Sequence, residues 1–340
     1  MNIEELRPRA RMERGTRNNL CDVPGVRVGH FTQAEGCRQT GITVIVPGAE
    51  NPFFSKLACA SFVLNGFGKS LGLVQVEELG TLETPIALTN TLNVGRVHDA
   101  LVGHMIDACA QEDFVLRSVN PVVLECNDGD LNDIRTRGLG REELERAFQD
   151  AQEDFAQGAV GAGRGMICHG LKGGIGSASR VMEIGGRRYV LGALALANHG
   201  RKADLLLGGR ALFAPDDSAA CDKGSCILVI ATNLPLTHRQ LARVIRRGSV
   251  GLARLGSFIG HGSGEVFLGF STANRMPHSG NAAFVSLEAL QESLMDIPFR
   301  ACAEAAEEAV FNALYFAETV TGRDGHTVLS LRDALRGLHP

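Results

Sequence analysis

Five segments of the chain are almost continuously apolar, a pattern typical of β-strands that are covered on both faces. A sheet with one face in water would instead alternate apolar and polar side chains along each strand. We therefore predict buried strands at these segments. They are GITVIV (41–46), PVVLE (121–125), YVLGALALA (189–197), SCILVIA (225–231) and EVFLGF (265–270).

Segments with apolar residues at helical spacing lie between these strands and predict helices over 93–111, 141–157, 237–256 and 297–319. Two start signals support this interpretation. Thr237 and Gln240 have the spacing of a capping box, and Ser330 and Asp333 indicate a further cap near the end. Because helices and buried strands are distributed over the whole chain, either helices flank one parallel sheet, or two sheets pack face to face with helices outside.

Composition excludes several functional classes. The chain has 340 residues, of which 44% are hydrophobic, and a formal net charge of −4. That charge lacks the concentrated positive excess of a nucleic-acid interface. The N-terminal segment MNIEELRPRARMERG lacks the apolar core of a signal peptide. No apolar run reaches the roughly 18–20 residues that cross a bilayer. We expect a cytoplasmic protein with neither nucleic acid nor a membrane as partner.

The nine cysteines are odd in number and include no CxxC pair, as expected for free thiols in a reducing compartment. The histidines His98, His104 and His169 have no partner at zinc-ligand spacing. We therefore predict that the protein holds no metal and needs no cofactor.

Two glycine-rich segments resemble phosphate-binding loops incompletely. GAGRGMICHGLKGGIGSASR (161–180) begins a GxGxxG pattern, but Met166 replaces the third glycine. NGFGKS (65–70) resembles the end of a Walker A motif, but Val63 stands where the first glycine belongs. We expect these glycines to form turns and close strand contacts. A non-catalytic protein that binds a phosphate at 161–180 is the alternative.

The Gly224-Ser225 pair differs from the four other Gly-Ser pairs, because Ser225 opens a buried-type strand after the turn-prone segment APDDSAACDKG (214–224). A serine hydroxyl needs a base to become a good nucleophile. Cleavage of the chain before Ser225 would create an α-amine on the same residue. Its unperturbed pKa of about 7.7–8.0 suits it to accept the hydroxyl proton. An ordinary serine at the start of a strand is the alternative interpretation.

Two further features fit such chemistry. Ser263 and Glu265 are two residues apart at the head of a strand, so they share one face and can act on one partner. Asn198 ends another apolar run, where its side-chain amide could donate to an oxyanion. The alternative interpretation involves no catalysis: Ser263 and Glu265 are polar residues at the start of a strand, and Asn198 forms a turn.

Taken together, the sequence resembles the DmpA/BapA-type family, the L-aminopeptidase/D-esterases and β-peptidyl aminopeptidases. The resemblance covers nearly the whole chain in order. Its segments are DVPGVRVGH (22–30), TGITVIVP (40–47), PIALTNTLNVGRVHDAL (85–101), LNDI (131–134), GRGMICHGLKGGIGSASR (163–180), ALANHGR (195–201), KGSCILVIATNLPL (223–236), GSGEVFLGFST (262–272) and TVTGRDGHTV (319–328).

The resemblance implies a single domain over 1–340, built as a four-layer αββα sandwich with the architecture of N-terminal-nucleophile (Ntn) hydrolases but different connectivity. It implies self-cleavage into chains 1–224 and 225–340, with Ser225 as nucleophile. Ser263 and Glu265 match the family's assisting pair, and Asn198 matches its oxyanion amide. A homotetramer that needs no metal is also implied.

One position departs from the family pattern. Some members carry a tyrosine near the active site, and here Asn127 stands at that position in VVLECNDGDLND (122–133). Oxyanion assistance or substrate choice is expected to differ accordingly. Glu125 and Asp128 are nearby in sequence, and we nominate Glu125 to bind the substrate's ammonium group.

These features predict a self-processing serine aminopeptidase that acts on small peptides, amides or esters through an acyl-enzyme on Ser225. An acyltransferase similar to ornithine acetyltransferase is the nearest rival, because such proteins also self-cleave and share the architecture.

Overall fold

The computed structural model describes residues 3–214, 223–279 and 283–337, and most of its strands form two sheets. The strands are β1 (Arg27–Glu35), β2 (Arg38–Val46), β3 (Ser55–Gly66), β4 (Thr81–Leu82), β5 (Ile86–Asn90), β6 (Val122–Cys126), β7 (Ile167–Cys168), β8 (Leu171–Lys172), β9 (Gly174–Ile184), β10 (Arg187–Asn198), β11 (Leu206–Leu207), β12 (Arg210–Ala211), β13 (Lys223–Thr232), β14 (Gly262–Pro277), β15 (Val320–Thr321) and β16 (Thr327–Val328). The helices are α1 (Leu73–Leu79), α2 (Val94–Ala110), α3 (Arg141–Gln149), α4 (His238–Ile245), α5 (Gly248–Arg254), α6 (Asp296–Tyr315) and α7 (Leu331–Arg336).

The two sheets pack face to face with helices on both outer surfaces. One sheet has the order β1-β2-β5-β6 and the other β4-β3-β14-β13-β10-β9. A buried apolar cluster between them contains Leu88 and Leu124 from the first sheet and Leu196 and Val229 from the second. Helices α2 and α3 cover the outer face of the four-stranded sheet, and α4 to α7 cover that of the six-stranded sheet. This confirms the predicted four-layer αββα sandwich.

This layering explains the continuous apolar strands. Alternate residues of β13 enter two different clusters: Ile227 and Val229 lie between the sheets, whereas Leu228 and Ile230 pack against the helices. Neither row of side chains meets water, so neither row is polar.

Helix α6 approaches the six-stranded sheet closely because both surfaces carry small side chains. A Cβ atom on Gly176 of β9 would lie only 2.0 Å from the carbonyl oxygen of Ala309. The alanines of α6 are therefore contact residues, as Ala305, Ala309 and Ala313 are fully buried. No helix within the described ranges is both long enough and apolar enough to cross a membrane.

All five predicted strands are confirmed, and so are the Thr237 capping box and the Ser330 cap. Two helix predictions were wrong in extent. The helix predicted over 141–157 ends at Gln149, because Gln152 pairs with Val28 of β1 through two backbone hydrogen bonds. The segment 237–256 forms two helices, α4 and α5, and the second begins at Gly248, where a Cβ would lie 2.8 Å from Leu228.

A buried ion-pair network joins β9 to α6. Arg180, fully buried on β9, donates to Glu308 at 2.8 Å and to Glu304 at 3.2 Å. Arg14 also pairs with Glu308 at 3.0 Å. Burial alone would raise the pKa of Glu308, but the guanidinium groups of Arg180 and Arg14 outweigh it and hold that pKa below its ordinary value.

We predict that Arg180→Ala lowers the free energy of unfolding by about 3 kcal/mol, because it leaves Glu304 and part of Glu308 buried without their cation. Urea denaturation followed by circular dichroism measures this difference. Arg188→Ala is the matched control, since Arg188 pairs with Glu13 on the exposed surface of the neighbouring strand and should change stability little. Equal effects of the two substitutions would contradict the prediction.

Candidate functional site

Three neighbouring strands of the six-stranded sheet bring the predicted catalytic residues together. β13 pairs antiparallel with β10, which sets Ser225 opposite Asn198. On its other side β13 pairs parallel with β14, which sets Gly224 opposite Ser263, Ser225 opposite Gly264 and Cys226 opposite Glu265. The scissile peptide predicted from the sequence therefore lies between Asn198 on one side and the Ser263–Glu265 segment on the other.

Glycine is required at two positions in this arrangement by the close approach of other backbone segments. A Cβ on Gly224 would lie 2.3 Å from the carbonyl oxygen of Asn198 and 2.8 Å from the Cα of His199. A Cβ on Gly264 would lie 2.3 Å from the carbonyl oxygen of Phe67. The preceding segment 215–222, including Cys221 and most of the predicted turn, lies outside the described residues.

A cavity of about 360 Å³ opens onto Ser225 between the two sheets. Its size is at the lower end of the range for small-molecule sites. The β6 end of the four-stranded sheet and the turn after β3 supply most of the opposite wall. The lining residues are Phe67, Lys69, Thr91, Glu125, Asn127, Asp130, Asn198, Gly224, Ser225 and Gly262.

The Ser225 hydroxyl is buried in the cavity wall, and its Oγ has no hydrogen-bond partner among the described nitrogen and oxygen atoms. Cys126 of β6 is its neighbour, and burial raises the pKa of that thiol well above its ordinary value. The thiol therefore stays protonated and cannot serve as a base. While Ser225 is linked to Gly224 its nitrogen is a planar amide, which is not a base either.

Ser263 and Glu265 form a hydrogen-bonded pair, as their i, i+2 spacing predicted. The Ser263 hydroxyl donates to Glu265 Oε1, and both residues are fully buried. Asn65 of β3, which sequence reasoning missed, donates its side-chain amide to the backbone carbonyls of Gly260 and Ser263 and fixes the start of β14. In the register of β13 and β14, Ser263 and Glu265 pair with the residues immediately before and after Ser225, so the two side chains flank the predicted scissile peptide.

Two backbone groups orient the Asn198 amide. Its Oδ1 accepts a hydrogen bond from the Ile167 N–H at 2.8 Å, so the amide nitrogen faces β6. One N–H of that nitrogen donates to the Asn127 carbonyl at 2.9 Å, and the nitrogen carries a second N–H. An asparagine held in this way is preorganised as a donor beside Ser225.

A buried lysine supports Asn198 and explains the glycine-rich segment. The amino group of Lys172 is fully buried, which lowers its pKa well below the ordinary value, and it donates to the carbonyls of Gly163, Met166 and Gly173 at 2.7–3.0 Å. The carbonyl of Met166 belongs to the same peptide unit as the Ile167 N–H that holds Asn198. These three carbonyls converge on one nitrogen, so this part of 161–180 presents hydrogen-bond acceptors, whereas a phosphate site needs N–H donors.

Glu125 lines the cavity, and each of its carboxylate oxygens accepts one hydrogen bond from a neighbouring residue. Oε1 accepts from the Lys69 backbone N–H at 2.8 Å, and Oε2 accepts from the Thr91 hydroxyl. Two carboxylate oxygens offer about four acceptor positions. Asn127 is exposed at the cavity edge, and its side chain accepts from the Gly129 N–H at 2.9 Å in a local turn.

Asp128 does not belong to the cavity, although it is near Glu125 in sequence. It is buried and accepts hydrogen bonds from Thr40 at 2.6 Å, Asn132 at 3.0 Å and Asn90 at 3.1 Å. Burial raises its pKa to about 6, and these donors oppose the shift. Asp128 therefore ties the segment after β6 to strands β2 and β5 and does not line the cavity.

The structure also joins residues that sequence spacing left apart. Cys168, His169 and His199 are all buried, and their potential metal-ligand atoms lie within 4.8 Å of one another. Burial, with a smaller contribution from the charge of His169, lowers the pKa of His199 to about 3. Residue spacing carries no signal for this cluster, because His199 reaches the other two residues only through the fold.

We predict that Gly264→Ala lowers the free energy of unfolding by about 1–3 kcal/mol, since the added methyl group would overlap the Phe67 carbonyl. Gly66→Ala is the matched control. Gly66 is the β3 residue paired with Gly264, yet a Cβ there would meet only Val63 at an ordinary 3.6 Å. Urea denaturation of the two variants compares them, and an equal loss would show that this contact does not require glycine.

Comparisons with known proteins agree with this geometry. The sequence profile of peptidase family S58 matches residues 18–328. Beta-peptidyl aminopeptidase BapA from Sphingosinicella xenopeptidilytica is 36% identical over 344 residues, which cover 93% of this chain and 85% of the relative.

Two solved structures share the whole fold. A beta-aminopeptidase from Burkholderia sp. superposes with a TM-score of 0.89 at 39% identity, covering 100% of this chain and 99% of that one. The L-aminopeptidase D-Ala-esterase/amidase from Ochrobactrum anthropi, described as a variant of the Ntn hydrolase fold, gives 0.89 at 33% identity, with 98% and 96% covered. The chain belongs to peptidase family S58 and is a serine aminopeptidase with the Ntn-hydrolase fold.

Proposed function

We propose that this aminopeptidase generates its own nucleophile by cleaving the Gly224–Ser225 bond, which yields chains 1–224 and 225–340. The observation that carries the proposal is the row of strands in which Ser225 lies opposite Asn198 and beside the Ser263–Glu265 pair. The family membership supports the same reading.

Cleavage proceeds as an acyl shift from nitrogen to oxygen. The Ser225 hydroxyl attacks the carbonyl carbon of Gly224, the bond from that carbon to the Ser225 nitrogen breaks, and the hydroxyl proton passes to the nitrogen. Water then hydrolyses the resulting ester, which releases the Gly224 carboxylate and restores the hydroxyl. The product carries a nucleophile and an α-amine on one residue.

Turnover uses the same atoms. The Ser225 hydroxyl attacks the substrate carbonyl while its α-amine accepts the proton, and the Asn198 amide donates to the developing oxyanion. The Ser263–Glu265 pair, which flanks the Ser225 nitrogen in the register, holds the amine and exchanges protons with it. The amine then protonates the leaving group, and water releases the acyl-enzyme by the reverse sequence.

Substrate selection rests on Glu125 and Asn127. The carboxylate of Glu125 lies in the same cavity as Ser225 and binds the free ammonium group of the substrate by a charge-assisted hydrogen bond. Asn127 at the cavity edge contributes to the choice of side chain. A cavity of about 360 Å³ accommodates the N-terminal residue of a small peptide, amide or ester.

The rival functions receive less support. A phosphate site in 161–180 conflicts with the carbonyl cage around Lys172, and family membership argues against a non-catalytic role. Acyl transfer to an amine remains chemically close to hydrolysis, so the experiments below include an acceptor.

We also propose that the enzyme is a homotetramer in the cytoplasm. The segment from β3 through α1 exposes Phe67, Val74 and Leu79 at 58%, 88% and 59%, which is unusual for large apolar side chains so close together. The cysteines of the described ranges form no disulfide with one another, as expected in a reducing compartment.

We predict that wild-type protein yields two fragments by intact mass analysis and that Ser225→Ala yields one. Aminopeptidase activity of the variant should fall by about 10³-fold or more, because both nucleophile and base are lost. When an amine acceptor is added to the wild-type enzyme, hydrolysis of the substrate should remain the main reaction and acyl transfer to the amine should be minor.

Ser257→Ala is the control for this experiment, because Ser257 is a buried serine that also follows a glycine. It should leave cleavage and activity intact. Wild-type protein that is fully active while unbroken would refute the cleavage proposal, and acyl-amine formed without hydrolysis would favour the transferase.

We predict that Glu125→Gln raises KM for a substrate with a free N-terminal amine by about 10- to 100-fold, the equivalent of roughly 1.5–3 kcal/mol for a charge-assisted hydrogen bond. The effect on kcat should be smaller, since the amide keeps the shape of the side chain. Steady-state kinetics measure both values. Glu78→Gln, on the exposed surface of α1, is the control. An unchanged KM in the processed Glu125 variant would remove Glu125 from the substrate site.

A further inference from the structure

The arginines near the N-terminus fall into two groups. The segment RPRARMERGTR contains five of them. Arg7, Arg14 and Arg17 form ion pairs with carboxylates of the folded chain. The guanidinium groups of Arg9 and Arg11 are exposed and form no ion pair or hydrogen bond with any residue that the structure describes. The positive charges of these two side chains are therefore not balanced within the described part of the chain.

Arg9 and Arg11 line a cavity of about 450 Å³ between the N-terminal segment and the outer helices. Helix α5 contributes Arg254 to its wall, and α6 contributes Arg300. The turn between β11 and β12 closes one side with two glycines, which leave that wall without side chains. This cavity shares no lining residue with the cavity at Ser225, so it is a separate site.

Two carboxylates also line the cavity, and each is engaged by an arginine of its own. Glu304 is buried, and its Oε2 accepts from Nε of Arg180 at 3.2 Å and from the backbone N–H of Arg11 at 3.0 Å. Glu307 pairs with Arg254 at 3.0 Å. Glu304 thus fixes the N-terminal segment against α6, and neither carboxylate balances the remaining arginines.

Three guanidinium groups around this cavity consequently keep uncompensated charge: those of Arg9, Arg11 and Arg300. Arginine stays protonated in proteins, so these charges persist at every ordinary pH. Like charges around one cavity repel each other, and an anion between them turns that repulsion into attraction. A guanidinium group binds phosphate oxygens through two parallel N–H donors, which gives arginine its preference for phosphoryl groups.

We propose that this cavity binds a small anion with two linked phosphoryl groups, a diphosphate. Two phosphoryl groups carry about three negative charges near neutral pH, which matches the three uncompensated guanidinium groups. A diphosphate can contact Arg9 and Arg11 of the N-terminal segment and Arg300 of α6 together. Binding is reversible and breaks no covalent bond. It joins the N-terminal segment to α6 and therefore stabilises the folded state.

Isothermal titration calorimetry of the purified enzyme with inorganic pyrophosphate, in the presence of a chelator, tests the proposal. We expect saturable binding of one pyrophosphate per chain that weakens as salt is added. Orthophosphate should bind at least about tenfold more weakly, since it carries fewer charges and oxygens. Arg9→Ala and Arg300→Ala should each weaken pyrophosphate binding by about tenfold or more. Calorimetry needs no catalytic activity, so the result is independent of the proposed cleavage.

Arg187→Ala is the matched control. Arg187 is an exposed arginine at the start of β10, it lies outside the cavity, and it has no ion pair among the described residues. Its substitution should leave the affinity unchanged. Wild-type enzyme without saturable binding overturns the proposal, as does unchanged affinity in both cavity variants. Equal affinities for orthophosphate and pyrophosphate would rule out a diphosphate site. Melting temperatures without ligand verify that the variants are folded.

Discussion

The contact between Gly224 and the Asn198–His199 backbone is the constraint on which the site depends. A Cβ on Gly224 would lie 2.3 Å from the carbonyl oxygen of Asn198. Only glycine therefore lets β13 approach the end of β10 closely enough for Ser225 to pair with Asn198. A second glycine at position 264 does the same on the β14 side, where the turn after β3 closes over the cavity. Ser225 is thus positioned by two glycines that leave room for neighbouring backbone, and the strands supply the precision that a loop would not.

The four-layer architecture creates the conditions that this chemistry needs. Ser225 and its neighbours sit at the end of a core that is apolar on both faces of each sheet, so a charge that develops there meets little solvent. Fixed dipoles act strongly in such surroundings. The polar groups that enter the core are accordingly held by several partners: Lys172 by three carbonyls, Glu125 by a backbone N–H and a hydroxyl, and Arg180 by two carboxylates.

The sequence predicted the layers well and the site in part. Continuous apolar runs such as SCILVIA identify strands without knowing their neighbours, because burial of both faces is a property of the strand itself. The helix predicted over 141–157 was too long, since a tertiary pairing of Gln152 outweighs local helical pattern. Gly224, Ser225, Ser263, Glu265 and Asn198 were nominated from the sequence and meet in one row. Lys172, Asn65, Thr91 and the Cys168–His199 contact escaped notice, because each acts through partners far away in the chain.

The surroundings of the Ser225 hydroxyl, which has no nitrogen or oxygen partner among the described residues, follow from the same geometry. The Cys126 thiol beside it remains protonated, and the Ser225 nitrogen is an amide while the chain is whole. Neither the Cys126 thiol nor the Ser225 amide nitrogen can therefore act as a base before cleavage. A base that appears only when the Gly224–Ser225 bond breaks has two effects: it satisfies the hydroxyl, and it confines nucleophilic strength to the processed enzyme. Burial of the hydroxyl without a base beside it, which is a cost to folding, is in the proposed cleavage the state from which the mature site is made.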